Sequence, residues 1–298
     1  DLRKTGKQSI VIAIFQAMVA TIFVDVVLIA MHFMMPDKLS LSAAITLGAV
    51  ATATAPAATL MVVKQYKAEG PLTKVLLPVV ALDDVVGLIV FAISFGIAKA
   101  LENGHMDLVS VIADPLIEVF ASLVLGAVLG YLFHFTEQFF YSRSKRMSIS
   151  VTYVLLAVAL SQLTFRIGAV TVGFSSLLVC MALGTVFCNL CPFSAELMDR
   201  VDRWTGPLMV LFFVLSGAGL DFDVFSDPAI ILVGVVYILF RSIGKISGAA
   251  VSSKFMHCEP TVQKYLGITL LPQAGVSLGM SLTAMSLGAP GLIIRNVA

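Results

Sequence analysis

The sequence predicts an all-α, polytopic transmembrane helix bundle, and three observations carry that reading. Of 298 residues, 59% are apolar and only 12% charged, with a mean hydropathy of +1.00. An ordinary soluble domain is ~45–50% apolar and ~25% charged. Nine stretches each supply the roughly 20 apolar residues needed to cross a hydrocarbon core about 30 Å thick. The basic residues between them fall mostly on alternate loops.

In chain order the spans are about 9–35, 41–63, 73–98, 116–135, 148–165, 169–190, 205–220, 229–252 and 265–288, one transmembrane domain over residues 1–298. Polar punctuation separates them. Pro36-Asp37-Lys38 closes the first, Glu69-Gly70-Pro71 precedes the third, and Glu102-Asn103-Gly104-His105 follows it. A transmembrane barrel would show alternating segments of about ten residues, and none is visible. Thirteen of the nineteen Lys and Arg fall on one set of alternate loops. Four (Lys38, Lys99, Arg166, Arg295) fall on the other set, and Arg241 and Lys245 lie inside the eighth span. This bias places the N-terminal end in the cytoplasm.

The formal charge of +1 excludes a nucleic-acid binder, which needs a concentrated basic surface. Cys180, Cys188, Cys191 and Cys258 are too few for a disulfide framework. The CxxC spacing of Cys188 and Cys191 has no accompanying His, whereas zinc needs about four ligands, so it reads as chance. With Asp1 in place of an initiator Met and a stop just past a hydrophobic span, the chain reads as a fragment trimmed at both ends.

A charge at the bilayer centre costs at least ~2.5–3.5 kcal/mol, so each needs a reason. Asp83 and Asp84 lie ten residues into the third span, Arg241 and Lys245 near the middle of the eighth, and Asp25 deep in the first. Adjacent helical residues project about 100° apart, so the two carboxylates cannot face one partner. One is free to face a cavity while the other meets a cation such as Lys245. Arg241 and Lys245, four apart, share a helix face. Asp25 reads either as a cavity-lining accessory group or as a packing residue.

Two spans are interrupted. The second carries Thr52-Ala53-Thr54-Ala55-Pro56, and the ninth carries Pro272-Gln273-Ala274-Gly275. Each proline removes a backbone donor, and small residues around it let another backbone approach. Paired broken spans are the pointer to a transporter built from inverted repeats with its ion site at the midplane. Half-helix ends bring partial charges into the membrane, and a nearby Lys can neutralise the negative ones. Gly126 and Gly130, Gly244 and Gly248, and Gly275 and Gly279 are small-residue pairs suited to close helix packing.

With Thr54-Ala55-Pro56, the Asp83-Asp84 pair and Lys245 together, the chain resembles the bacterial sodium/proton antiporters of the monovalent cation:proton antiporter superfamily over nearly its whole length. That resemblance implies the antiporter fold with two crossed discontinuous helices. It implies that Asp84 is the ion-binding carboxylate and that Asp83 ion-pairs with Lys245, as in the electrogenic branch. Thr52, Thr54, Pro56, Pro272, Gln273 and Gly275 fall at the crossing. It also implies two helices before Asp1 and at least one after Ala298, a homodimer in the bacterial inner membrane, and no cofactor beyond the transported Na⁺ or K⁺ and H⁺. Two positions depart from the pattern: some members carry an acid where Ala55 stands, and others an acid where Gln273 stands. The Pro-Gln-Ala-Gly version is also similar to the Kef-like branch, whose substrate can be potassium.

The chemistry expected is competition of cation and proton for one carboxylate. Bound sodium favours the ionised acid, and protonation expels the sodium. Backbone carbonyls freed near Thr54 would assist Asp84. The alternatives are a Kef-type potassium efflux transporter, a sodium-coupled organic-anion symporter, and an intramembrane aspartyl protease. The last needs two converging carboxylates, and adjacent residues on one helix diverge.

Overall fold

The structure is a computed structural model describing residues 2–55, 59, 62–63, 65–102, 108–140, 142–167, 170–218 and 227–297. The first part runs α1 (Leu2–Met34), α2 (Leu41–Val50), α3 (Pro71–Glu102), α4 (Leu108–Glu137) and α5 (Arg143–Ser161). A two-stranded ribbon, β1 (Phe165–Ile167) and β2 (Val170–Val172), follows. The rest is α6 (Ser176–Leu190), α7 (Ser194–Ala218), α8 (Pro228–Phe255), α9 (Pro260–Thr269), α10 (Gly275–Ala284), a 3₁₀ turn (Met285–Leu287) and α11 (Ala289–Val297).

The all-α expectation holds except at the ribbon, where Phe165 pairs with Val172 and Ile167 with Val170 in antiparallel register. Aromatic and β-branched residues favour a pleated strand, so the helix of the sixth span starts at Ser176 instead of near 169. Gly6–Met34, Pro71–Glu102, Leu116–Glu137 and Pro228–Phe255 are continuous helices long and apolar enough to cross a membrane. Their outward faces stay apolar, with Val26 63%, Phe120 71% and Ile238 60% exposed.

The chain forms two compact units. The first comprises Asp1–Gly104 and Asp221–Ala298. Within it α1 and α8 pack antiparallel through the expected glycine pair. A Cβ on Gly244 would lie 2.7 Å from Ala20 Cα, and one on Gly248 would lie 2.8 Å from Gln16 Cα. Gly267 of α9 sits as closely on Ile246 of α8, at 2.6 Å from its Cα. Small residues thus bring backbones together where lipid gives no hydrophobic drive. An apolar core beside these contacts joins Ile12, Val79, Ala249, Val262, Leu266 and Leu270. At one end of the unit, Lys38 pairs with Asp227, the N-cap of α8, and Ser42 donates to Glu102 at the end of α3.

The second unit, His105–Leu220, holds α4 to α7 and the ribbon. Gly126 and Gly130 of α4 lie against the Val179 and Leu183 carbonyls of α6. Phe133 stacks on Phe187 with ring centroids 4.0 Å apart. Arg146 sits 3.4 Å from the buried Glu137 and lies over the Phe193 ring. Cys188 is exposed and Cys191 buried, both as free thiols.

Candidate functional site

Both interrupted spans break, the second after Val50 and the ninth after Thr269, and the breaks meet in the first unit. α2 loses its regular pattern at Val50, five residues before Ala55. Thr52 N bonds Ala49 O at 3.1 Å and Ala53 N bonds Val50 O at 3.1 Å, tightening the last turn into 3₁₀-type bonds. Ala55 N then leaves its own chain and donates to Pro272 O at 2.9 Å. Pro56 itself lies outside the described residues. In the other break, Leu270 and Leu271 close the α9 end with the same i→i+3 pattern, both at 3.3 Å. Pro272 has no N–H to continue the helix, and α10 starts at Gly275. A Cβ on Gly275 would meet nothing within 4 Å among the described residues.

The carbonyls stranded at these ends are covered by two cations from one face of α8. Lys245 Nζ donates to Thr52 O at 2.5 Å. Arg241 reaches both breaks at once, with Nη2 on Ala53 O at 2.7 Å and Nη1 on Leu271 O at 2.8 Å. Positive charge at the carbonyl end of a helix is electrostatically favourable. The freed carbonyls expected to serve an ion near Thr54 therefore already accept at Thr52 and Ala53.

Asp83 and Asp84 have opposite surroundings. Asp83 is fully buried, and both its oxygens are engaged. Oδ2 accepts from Lys245 Nζ at 2.8 Å and from Thr54 Oγ1, while Oδ1 accepts from Gln16 Nε2. Lys245 Nζ also donates to Thr54 Oγ1 at 2.9 Å, so acid, hydroxyl and amine close a triangle. Asp84 is half-buried, and its Oδ1, though shielded from solvent, accepts no hydrogen bond among the described residues. Next to it on α3, a Cβ on Gly87 would lie 2.8 Å from Thr52 Oγ1. Residues three apart neighbour each other on a helix, so the first break lies alongside the face that carries Asp84.

The other anticipated residues divide. Thr52 is buried, and its hydroxyl is spent on Ala49 O at 2.7 Å. Gln273 Nε2 donates to Tyr237 Oη at 3.0 Å and to Val50 O at 3.4 Å, bridging the second break, α8 and the end of α2. Asp25 lies against Gly48 of α2, where a Cβ would collide with its carboxylate. Its Oδ1 is buried and unbonded among the described residues. Gln16 and Tyr237 belong to this network, though neither carries a charge or sits at a proline that would mark it.

The family model described as "Sodium/hydrogen exchanger, transmembrane" matches residues 1–295. The chain belongs to the sodium/hydrogen exchanger family. No curated protein matches it. A sodium/hydrogen exchanger is an integral membrane antiporter that moves a monovalent cation against protons. Two helix breaks, joined from Ala55 N to Pro272 O and capped by Lys245 and Arg241, lie beside the carboxylates of α3. Discontinuous helices are how transporters expose backbone dipoles to ions at membrane depth.

Proposed function

We propose that this exchanger trades Na⁺ for H⁺ at Asp84, with Asp83 and Lys245 as the coupled pair. The observation that carries the reading is the contrast between the two acids. Asp83 has each oxygen occupied by a donor, whereas Asp84 Oδ1 is shielded and accepts no hydrogen bond among the described residues. A carboxylate committed to an amine is poorly available to a cation, and the neighbour with a vacant oxygen is available. Proton and cation then exclude one another at Asp84, because only the ionised acid attracts the cation.

As the cation binds, Asp83 leaves Lys245 to join it, and the pair reforms when the cation departs. Two protons per sodium follow if Asp83 and Lys245 release one proton between them. Alternating access carries the loaded site from one side to the other. Under this proposal the protein is, as the family resemblance implies, a homodimer in a bacterial inner membrane, and the Leu2 end of α1 is placed in the cytoplasm. The Lys and Arg asymmetry supports that orientation.

The test is reconstitution of the full-length protein in proteoliposomes. Asp84→Asn should abolish cation-driven proton movement while membrane insertion is unchanged, and full retained activity would remove Asp84 from this role. Sodium, lithium and potassium pulses on the parent protein decide the cation, and a response to potassium alone would favour the Kef-type alternative.

A further inference from the structure

Gln16 is fully buried near the middle of α1, in a helix otherwise apolar at this level. Its Nε2 donates to Asp83 Oδ1 and to Ala13 O at 3.2 Å, while its Oε1 is buried and bonded to nothing among the described residues. The backbone at Gln16 is also the point where Gly248 of α8 presses closest, one turn from Lys245. Asp83 is thus held by α8 through Lys245, by the first break through Thr54 and by α1 through Gln16.

A buried amide with half its hydrogen-bonding capacity unmet costs free energy that an apolar side chain would not. What it supplies in return is a neutral donor aimed at Asp83, which adds no charge to compete with the lysine. An interaction made in only one of two states shifts the balance toward that state by its own free energy.

We propose that Gln16 is a positioning residue that holds Asp83 in its lysine-paired state and thereby sets the apparent affinity for the cation. The inference rests on the reading above, in which Asp83 leaves Lys245 as the cation binds. Removing the amide favours the loaded state, so the cation is bound more tightly without a faster cycle.

The experiment measures sodium-driven proton movement by the full-length protein in proteoliposomes, over a range of sodium concentrations. Gln16→Met keeps the volume and removes the amide. Its KM for sodium should fall about three- to tenfold, with a maximal rate no higher than the parent's. Gln16→Asn, one methylene too short to reach Asp83, should move KM the same way and carries the test if the Met variant fails to assemble. An unchanged KM with a reduced rate would make Gln16 a packing residue, and a raised KM would make it a ligand of the loaded state; either overturns the proposal. In an Asp83→Asn background Gln16→Met should leave KM where it was, and an equal shift there also overturns it. Asp84→Asn measured in parallel separates the two failures. If that variant exchanges normally, the site reading itself falls; if it is dead while Gln16→Met matches the parent, only the role of Gln16 falls.

Discussion

Lys245 Nζ lies 2.8 Å from Asp83 Oδ2, and neither side chain has any solvent exposure. Two charges so placed give little net stability as a pair, yet each becomes a heavy liability without the other. Removing one partner of a buried pair costs about 3–5 kcal/mol, because the remaining charge is stranded. Lys245→Met should therefore lower thermal stability in detergent sharply. Adding Asp83→Asn should recover most of the loss, since the leftover charge is gone. A double variant as unstable as the single would show that Lys245 acts chiefly through the Thr52 carbonyl.

Arg241 joins the two breaks by bonding Ala53 O and Leu271 O with separate nitrogens. Lysine has one nitrogen at its tip and cannot reproduce that fork. Arg241→Lys should lose one of the two bonds and cost roughly 1.5–3 kcal/mol, the worth of a hydrogen bond to a charged group. The loosening should be local. Hydrogen exchange at the Ala55 amide, which bonds Pro272 O, should quicken more than exchange in the middle of α3.

Gly244 and Gly234 lie on the same helix in opposite circumstances. A Cβ at Gly244 would lie 2.7 Å from the Ala20 backbone, while at Gly234 it would meet nothing within 4 Å. Gly244→Ala should force α1 from α8 and destabilise by about 1–3 kcal/mol, as overpacking does. Gly234→Ala should be neutral or stabilising by up to about 1 kcal/mol, through helix propensity. Thermal unfolding of the two variants side by side checks the contrast, and equal effects would dissolve the close α1–α8 contact.

At the exposed end of the first unit, the Lys38 ammonium and the Ala229 amide hold the Asp227 carboxyl below the usual aspartate range. A carboxyl shifted downward by folding stabilises the fold above its unfolded pKa, and loses that contribution as the pH falls through the folded value. The Lys38–Asp227 clasp should persist at every pH where ordinary surface aspartates are ionised and open only in more acidic solution. A carboxyl titration followed by NMR in Lys38→Met should move the Asp227 midpoint upward. No movement would mean that the helix cap alone sets it.

Much of this site was legible because charge in an apolar span is conspicuous. The Asp83-Asp84 pair and the Arg241–Lys245 pair each stood out against hydrocarbon-compatible sequence, and the structure gathers Asp83, Arg241 and Lys245 around the first break. The prolines marked where the helices fail but not how far the failure spreads. α2 already stops at Val50, because the Ala-Thr run closes its turn with 3₁₀ bonds and Ala55 finds a partner in the other break. Gln16 and Tyr237 were illegible for a simpler reason. A neutral polar side chain in a membrane helix can bond its own backbone, so only the three-dimensional partner distinguishes Gln16 from Thr21, whose hydroxyl is satisfied by Ala17 O. The ribbon of Phe165–Ile167 and Val170–Val172 is not legible because a short β-branched run reads the same as a continuing apolar helix.

On the proposed mechanism, the charge moved per cycle depends on the Asp83–Lys245 pair. Asp83 is the only group on α3 in contact with Lys245 among the described residues' ion pairs. If its departure releases Lys245 to lose a proton, the pair contributes one proton to each turnover and Asp84 the other. Asp83→Asn removes the carboxylate whose pairing with Lys245 and release from it would move the second proton. On the proposed mechanism each sodium is then traded for the single proton of Asp84. Transport in Asp83→Asn should continue at a reduced rate, yet become insensitive to an imposed membrane potential, whereas the parent's rate should rise and fall with it. Current recorded from proteoliposomes on a solid support reads this directly. A variant that still carries net charge with every sodium would take Asp83 and Lys245 out of the proton count and leave them a structural pair.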